Sequence, residues 1–196
     1  MKVLITGGTG LIGKELIKIL EKKGHYVKYL TRTLNSGGIL WNPEKGDLDS
    51  EVLKGFDAVV HLAGENIAGK NPIQGRWTKE RKEKIKESRI KGTRLLSEML
   101  SKLENPPKVF ISASAIGYYG DRNNEKLFEY SSVGKGFLAE VCQEWEKETK
   151  IALERGIRVV NTRFGVILSN SGGALATMLP AFKAGVGGVL GDGKQY

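Results

Sequence analysis

The feature that most constrains the fold of this chain is a glycine loop between a short strand pattern and an amphipathic helix pattern. Lys2–Thr6 is β-type, and apolar residues recur over 11–23 with the 3.6-residue period of a helix. Glycines let the backbone turn sharply, approach a pyrophosphate without an intervening Cβ, and pack the helix closely on the sheet. The N–H groups at the start of such a helix bind phosphate. We therefore predict a dinucleotide-binding loop rather than a turn without a ligand, with these cofactor-binding residues: Gly7, Thr9, Gly10, Leu11, Ile12 and Gly13.

Strand and helix patterns alternate along the rest of the chain. Strands are predicted at 26–30, 38–41, 57–63, 108–112 and 157–162, and helices at 78–103, 136–155 and 173–183. This alternation indicates a parallel sheet with right-handed crossovers and helices on both faces. The predicted fold class is α/β, a doubly wound NAD(P)-binding Rossmann fold over 1–170. We expect 171–196 to begin a C-terminal substrate lobe that is mostly missing, because its glycine-rich stretch completes no packed element.

Composition excludes several other classes of protein and site. One cysteine and two histidines cannot supply an intrachain disulfide or a Cys-based zinc cluster, so no metal site is predicted. The chain has neither a signal-peptide pattern nor an apolar run near the roughly 18 residues that a membrane span needs. We therefore expect a cytoplasmic protein without a membrane partner. The net charge is +9, but glutamates interrupt the basic stretch 76–94, which indicates a solvated helix face rather than a nucleic-acid surface.

The end of the second strand pattern bears on cofactor choice. A carboxylate at this point accepts a hydrogen bond from the ribose 2′-hydroxyl of NAD and repels a 2′-phosphate, whereas an arginine favours the phosphate. Here the strand ends at Thr31 and Arg32. We therefore predict that both residues bind the cofactor and that NADP(H) is favoured over NAD(H). An ordinary surface arginine is the alternative interpretation.

Several segments together resemble the extended short-chain dehydrogenases/reductases of the NAD-dependent epimerase/dehydratase superfamily. The carrying segments are the glycine loop, Asp57-Ala-Val-Val-His-Leu-Ala-Gly64, Gly92-Thr-Arg-Leu-Leu96 and Phe110-Ile-Ser-Ala-Ser114 with Tyr119-Gly-Asp121. Others resemble its "epimerase family protein" subgroup, whose substrates are largely unassigned: Ala63-Gly-Glu-Asn-Ile-Ala68, Gly117-Tyr-Tyr-Gly120 and Phe137-Leu-Ala-Glu-Val-Cys142 with Trp145-Glu146. The resemblance implies a longer protein with a C-terminal substrate lobe. It also implies a homodimer formed through helices 78–103 and 136–155.

The resemblance implies further contacts with the cofactor. Leu62, Ala63 and Gly64 are expected beside the adenosine and its ribose, where their lack of bulk allows a close approach. Glu65 is expected near the nicotinamide ribose, or alternatively as a loop cap. Arg89 stands where the superfamily has an asparagine, and it contacts a cofactor phosphate or ribose in this interpretation; a solvated helix residue is the alternative. Phe164 is expected to hold the carboxamide through its backbone, or to pack in the core.

The superfamily's catalytic set is only partly present. The resemblance implies an Asn, a Ser, and a Tyr-x-x-x-Lys pair, and Ser114 matches the serine, with Ser112 as the alternative. Ser132 and Gly136 stand at the expected Tyr and Lys positions, and no Tyr-x-x-x-Lys occurs anywhere in the sequence. Tyr118 and Tyr119 are therefore the candidate proton donors, because a nearby cation makes a phenol more useful in acid–base catalysis. Aromatic packing is the alternative for both.

Two functional hypotheses follow from these residues. The first is an NADP(H)-binding oxidoreductase or nucleotide-sugar-epimerase-like protein that acts on a small carbonyl or alcohol. The second is a non-catalytic NADPH-binding sensor or regulatory scaffold, suggested by the missing Tyr-x-x-x-Lys pair. Whether the protein is an enzyme stays open at this stage. The expected partners are a small-molecule substrate and a second copy of the chain, and not nucleic acid.

Overall fold

The computed structural model describes residues 1–33, 37–68, 76–189, 191 and 193. Its strands are β1 Lys2–Thr6, β2 Tyr26–Thr31, β3 Ile39–Leu40, β4 Ala58–His61, β5 Val109–Ala115 and β6 Arg158–Phe164. Its helices are α1 Leu11–Lys22, α2 Lys79–Ser101, α3 Phe137–Lys147, α4 Lys150–Glu154 and α5 Gly173–Lys183, with 3₁₀ turns at Ser50–Leu53 and Ile116–Tyr119. Within these described ranges, no helix is long and apolar enough to cross a bilayer.

The strands form one sheet in the order β3-β2-β1-β4-β5-β6, and the pairs from β3 to β5 are parallel. The order reverses between β1 and β4, so the carboxyl ends of these strands border the crevice in which open α/β sheets bind ligands. In register, Thr6 of β1 lies opposite His61 of β4, and His61 lies opposite Ser112 of β5. The predicted doubly wound Rossmann fold is confirmed.

Alternate side chains of the central strands feed two separate cores. Leu4 and Val59 point to the face that packs against α2 and α4, while Val3, Ile5 and Val60 point to the face covered by α1. Central strands that are buried on both faces are expected to be largely apolar, as Val3–Ile5 of β1 and Ala58–Val60 of β4 are. These two cores fix the carboxyl edge of the sheet, from which the site is built.

The helix predicted over 136–155 is wrong in one respect, since it divides into α3 and α4. The Thr149 hydroxyl donates to Glu146 O at 2.7 Å, and the Thr149 N–H donates to the same oxygen at 3.2 Å. The Glu148 N–H likewise reaches back three residues to Trp145 O. A threonine that bonds the local backbone competes with the helical hydrogen-bond ladder, and the chain bends there before α4 begins.

The chain divides into two compact units, and the first comprises Met1–Arg163. The second begins at Phe164 and contains α5, in which Thr177 donates its hydroxyl to Gly173 O at 3.0 Å. The division falls earlier than the predicted boundary at 170, next to the end of β6. Positions 190, 192 and 194–196 of the predicted lobe segment lie outside the described residues.

Candidate cofactor and active site

The glycine loop has the geometry that phosphate binding requires. Gly7 has φ +71°, and a Cβ there would stand 2.8 Å from the carbonyl carbon of Leu62. Gly10 donates its N–H to Gly7 O at 3.0 Å and is the N-cap residue of α1. It has no side chain with which to cap the helix, and the first turn contains no acidic residue. The N–H groups at the start of α1 are therefore not capped by a side chain, and the positive end of the helix dipole suits an anionic group there.

A buried threonine turns the chain out of the sheet after β4. The Thr6 Oγ1 atom accepts hydrogen bonds from the N–H groups of Leu62 and Ala63, both at 3.1 Å. It also lies 2.6 Å from His61 Nδ1. Because the hydroxyl oxygen already accepts twice, its single proton is donated to the ring, which makes His61 the neutral Nε2–H tautomer. Burial, reinforced by the charge of Arg89, lowers the pKa of His61 to about 4 and keeps the ring neutral.

Two arginines of α2 hold the loop that follows β4. Arg81 forms an ion pair with Glu65 at 2.9 Å and also donates to Asn66 O. Arg89 donates to Glu65 O at 3.1 Å and to Ile85 O at 2.9 Å. The Ser88 hydroxyl accepts from the Glu65 N–H at 3.1 Å. The loop is thus tied to a long helix through both its backbone and its carboxylate.

The structure gives Arg89 and Glu65 partners within the protein, and their contacts with a cofactor stay predictions. The Arg89 guanidinium is half-buried 5.2 Å from the Trp145 ring centroid, and burial lowers the pKa of this group. It stands behind the loop, where a Cβ on Gly64 would lie 3.3 Å from its Cζ atom. Arg89 is therefore neither a solvated helix residue nor part of the cavity wall. Glu65 lines the cavity, but its carboxylate is engaged by Arg81.

A cavity of about 270 Å³ opens along the glycine loop, near the lower end of the ~300–1,000 Å³ typical of small-ligand pockets. Its walls contain these predicted cofactor-binding residues: Gly7, Thr9, Gly10, Thr31, Arg32, Leu62, Ala63, Gly64 and Glu65. Five other predicted contacts are not among its lining residues: Leu11, Ile12, Gly13, Arg89 and Phe164. Leu11, Ile12 and Gly13 begin α1 just behind the wall. Phe164 belongs to the second unit, so its predicted contact stays a prediction.

Part of the cavity wall was not predicted from the sequence. Trp41, Pro43 and Glu44 follow the short strand β3, and the α2 residues are Lys84, Glu87, Ser88 and Lys91. The α2 residues recur at the spacing of a single helix face. The mixed charges of that helix face led to the prediction that it is solvated. The regular spacing of Lys84, Glu87, Ser88 and Lys91 could have indicated that these four residues share one face. The uncapped helix start, the glycine backbone and this groove together fit a bound dinucleotide.

The catalytic candidates meet at the carboxyl end of β5. The Ser114 hydroxyl donates to Glu146 Oε1 at 2.6 Å, and Arg163 binds both oxygens of that carboxylate at 2.9 Å. Arg163 Nη1 also donates to the Tyr119 hydroxyl at 2.8 Å, and the guanidinium lies 3.5 Å from the Tyr118 ring centroid. The hydrogen bonds to Glu146 and Tyr119 raise the pKa of Arg163. Ser112, the alternative serine, is fully buried and reaches Ala113 O at 3.3 Å.

Sequence reasoning had not assigned a role to Glu146 or Arg163. Glu146 stood in a segment that carried the resemblance, Trp145-Glu146, without a function attached to it. Arg163 directly follows the strand pattern 157–162, and nothing marks it from the sequence alone.

Comparison with known proteins identifies the family. The model of the NAD-dependent epimerase/dehydratase family matches residues 3–195. This chain belongs to that family. It is 42% identical over 196 residues to an "epimerase family protein" of Mycobacterium bovis, covering 99% of this chain and 63% of that protein. The chain thus spans a little under two thirds of the length of this curated relative.

Two solved structures extend the comparison. The human epimerase family protein (isoform 2), solved with NADPH, has a TM-score of 0.87 and 35% identity, over 100% of this chain and 64% of that one. The nucleoside-diphosphate sugar epimerase of Corynebacterium glutamicum has a TM-score of 0.84 and 40% identity, over 98% of this chain and 39% of that one. Both structures are similar to this chain over the span that the family model matches.

Proposed function

We propose that this protein binds NADP(H) in preference to NAD(H), and that it is an oxidoreductase or nucleotide-sugar-epimerase-like enzyme acting on a small carbonyl or alcohol. The observation that carries the proposal is the position of Arg32. It is exposed at the carboxyl end of β2, lines the cavity beside the glycine loop, and has no ion-pair partner within the described ranges. An unpaired guanidinium at that point suits a 2′-phosphate and has no comparable partner in NAD.

Different residues along the carboxyl edge of the sheet would bind the parts of the cofactor and the substrate. The start of α1 would bind the pyrophosphate, and the groove between Arg32 and α2 would hold the adenosine. The loop 62–65, fixed by Arg81 and Arg89, would guide the cofactor towards β5. When bound, a nicotinamide would supply or accept hydride at the substrate carbon. Ser114, Tyr118 and Tyr119 would orient the substrate oxygen and handle its proton.

The relatives support this proposal. The human structure was solved with NADPH, and the Corynebacterium glutamicum protein is described as a nucleoside-diphosphate sugar epimerase. A nucleotide sugar is therefore one substrate class to test. A non-catalytic NADPH sensor or scaffold is the second candidate function, and the lack of a Tyr-x-x-x-Lys pair favours it.

Fluorescence titration with NADPH and NADH tests the cofactor proposal. We expect NADPH to bind at least about tenfold tighter, a difference of about 1.4 kcal/mol, and Arg32→Ala to remove this difference. Arg155→Ala is the matched control, because Arg155 is exposed and its guanidinium donates to Ser101 O, away from the cavity. Equal affinities for the two nucleotides in the unmodified protein would refute the preference. A change in nicotinamide absorbance that requires a carbonyl or nucleotide-sugar substrate, and scales with protein concentration, would exclude the sensor.

A further inference from the structure

Four polar side chains form one continuous network beside the carboxyl end of β5. Ser114 is bonded to Glu146, Glu146 to Arg163, and Arg163 to Tyr119. The Glu146 and Arg163 side chains are only 14% and 17% exposed, and their bond is bidentate, the strongest geometry for such a pair. A buried charge pair of this kind is costly to desolvate, and its presence here calls for a chemical explanation as well as a structural one.

The donors and acceptors of the network show which hydroxyl proton is not donated in a hydrogen bond. Arg163 can only donate, so the Tyr119 oxygen is the acceptor in the bond between them. Ser114 must donate to Glu146, because a carboxylate can only accept. The Ser114 proton is therefore used within the network, whereas the Tyr119 proton is not. None of the described residues accepts a hydrogen bond from the Tyr119 hydroxyl.

Tyr118 and Tyr119 differ in how they meet the arginine. The guanidinium lies against the ring of Tyr118, at 3.5 Å from its centroid, which is a packing and cation–π contact. At Tyr119 it reaches the hydroxyl oxygen itself. A guanidinium bonded to a phenol oxygen stabilises the negative charge that the oxygen carries once its proton leaves. Tyr119 thus has the cationic partner that a proton-donating phenol needs.

We infer that Tyr119 is the proton donor of this site, with Arg163 as its cationic partner and Glu146 as the positioning residue that holds both Arg163 and Ser114. This inference rests on the proposed function, and it assigns to Tyr119 and Arg163 the roles that a Tyr-x-x-x-Lys pair would otherwise fill. Tyr119 closes the 3₁₀ turn directly after β5, at the same edge of the sheet as the loop 62–65.

The proton step balances with Tyr119 as the donor and solvent as the source that restores its proton. As the carbonyl carbon of the substrate takes up hydride, the O–H bond of Tyr119 breaks and an O–H bond forms on the substrate oxygen. The carbonyl would become an alcohol with the hydride that a bound nicotinamide would supply, and the phenolate left on Tyr119 beside Arg163 would regain its proton from solvent. Arg163 remains charged throughout, so it stabilises the phenolate but neither gives nor takes the proton. Alcohol oxidation runs the same steps in reverse.

Chemical labelling tests this assignment without a known substrate. An aryl sulfonyl fluoride forms an O–S bond with a tyrosine oxygen, releasing fluoride and giving the proton to solvent, and peptide mass spectrometry then gives the rate at each tyrosine. Tyr130 is the internal reference, being 83% exposed. We expect half-buried Tyr119 to react about tenfold faster than Tyr130, because Arg163 stabilises the attacking oxygen. Saturating NADPH should slow labelling of Tyr119 and leave Tyr130 unchanged.

The variants separate chemistry from structure. Arg163→Met should bring the Tyr119 rate down to that of Tyr130 or below, Arg163→Lys should restore part of it, and Glu146→Gln should lower it by releasing the arginine. Arg94→Met is the matched control, since it breaks another bidentate pair, Arg94 with Glu148 at 2.7 Å, away from Tyr119. That variant should leave the Tyr119 rate unchanged. Circular dichroism on each variant verifies the fold, and Arg163→Lys and Glu146→Gln carry the test where Arg163→Met does not fold.

Three results would overturn the inference. They are a Tyr119 rate no higher than that of Tyr130, a Tyr119 rate that does not depend on Arg163, and a Tyr119 rate that NADPH does not alter although NADPH binds. A protein that binds no NADPH but still shows Arg163-dependent labelling would instead refute the proposed function and leave the Tyr119–Arg163 pairing in place.

Discussion

The Thr6 hydroxyl and His61 Nδ1 lie 2.6 Å apart on neighbouring strands, and this contact joins the core of the protein to the loop 62–65. The same hydroxyl oxygen accepts from Leu62 and Ala63, the residues at which the chain leaves the sheet. The ring of His61 is fully buried between Trp41 and Phe110. One threonine therefore sets the tautomer of a core histidine and the path of the loop beside the glycine turn.

Acid should destabilise the protein through His61. Its pKa is about 4 in the folded state and 6.5 in the unfolded chain, so below pH 6.5 protons bind the unfolded state first. The contribution of the neutral ring is complete above pH 6.5 and is lost as pH falls towards 4, by up to about 3 kcal/mol. Urea unfolding at a series of pH values measures this loss.

His61→Asn is the variant matched to that prediction. Asparagine keeps an acceptor near the Nδ1 position but takes up no proton in this range. We expect the variant to be less stable at neutral pH and to lose less stability than the unmodified protein between pH 6.5 and 4. The same acid-induced loss in both proteins would show that other groups are responsible.

Removing the Thr6 hydroxyl should destabilise both strand and loop. Thr6→Val keeps the volume but leaves the Ala63 N–H and the His61 ring without their partner, whereas the Leu62 N–H keeps its bond to Thr6 O at 3.1 Å. We expect a cost of about 2 kcal/mol. Thr6→Ser retains the hydroxyl and is expected to lose much less. Denaturant unfolding compares the two variants, and equal losses would mean that the methyl group, not the hydroxyl, is what matters at this position.

Gly7 should be intolerant of a side chain for two separable reasons. Gly7→Ala strains a φ of +71° and also brings a Cβ to 2.8 Å from the Leu62 backbone. Gly46→Ala isolates the first effect, because Gly46 has φ +69° with nothing within 4 Å of an added Cβ. We expect about 1 kcal/mol of destabilisation for Gly46→Ala with unchanged NADPH affinity. Gly7→Ala should cost more and weaken NADPH binding; identical behaviour of the two variants would count against the close approach.

Arg89 should affect cofactor binding indirectly, by holding the loop 62–65 in place. Arg89→Met keeps much of the packing on Trp145 but removes the bond to Glu65 O. We expect NADPH affinity to fall about tenfold, since the loop must then be ordered on binding. Lys18→Met is the control, because Lys18 pairs with Glu15 on an exposed face of α1, where ion pairs contribute little. Unchanged affinity in Arg89→Met would show that Arg81 alone holds the loop.

Most of the fold could be predicted from local sequence patterns. The glycine loop, the apolar periodicity of α1 and the apolar runs of β1 and β4 predicted the sheet, because each depends on neighbours in sequence. The break at Thr149 was missed because its side chain bonds Glu146 O, a choice that helical periodicity does not reveal. The absence of nucleic-acid binding, the pairing into a homodimer and the cytoplasmic location stay predictions.

The site was predictable only where it follows the backbone of the fold. The residues at the ends of β1, β2 and β4 line the cavity as expected, because strand ends meet at one edge of a parallel sheet. Glu146 and Arg163 come from a helix and a strand, 17 positions apart, and only tertiary packing brings them to Ser114 and Tyr119. In the sequence, Glu146 and Arg163 cannot be distinguished from charged residues on the protein surface.

The most direct test of the central claim is the ratio of NADPH to NADH affinity in Arg32→Asp, measured by isothermal titration calorimetry beside the unmodified protein. A carboxylate at the end of β2 repels a 2′-phosphate and accepts from a ribose hydroxyl. The account predicts that NADPH affinity falls at least about tenfold and that NADH becomes the tighter ligand. An unchanged preference for NADPH in this variant would contradict the assignment of Arg32 to the 2′-phosphate.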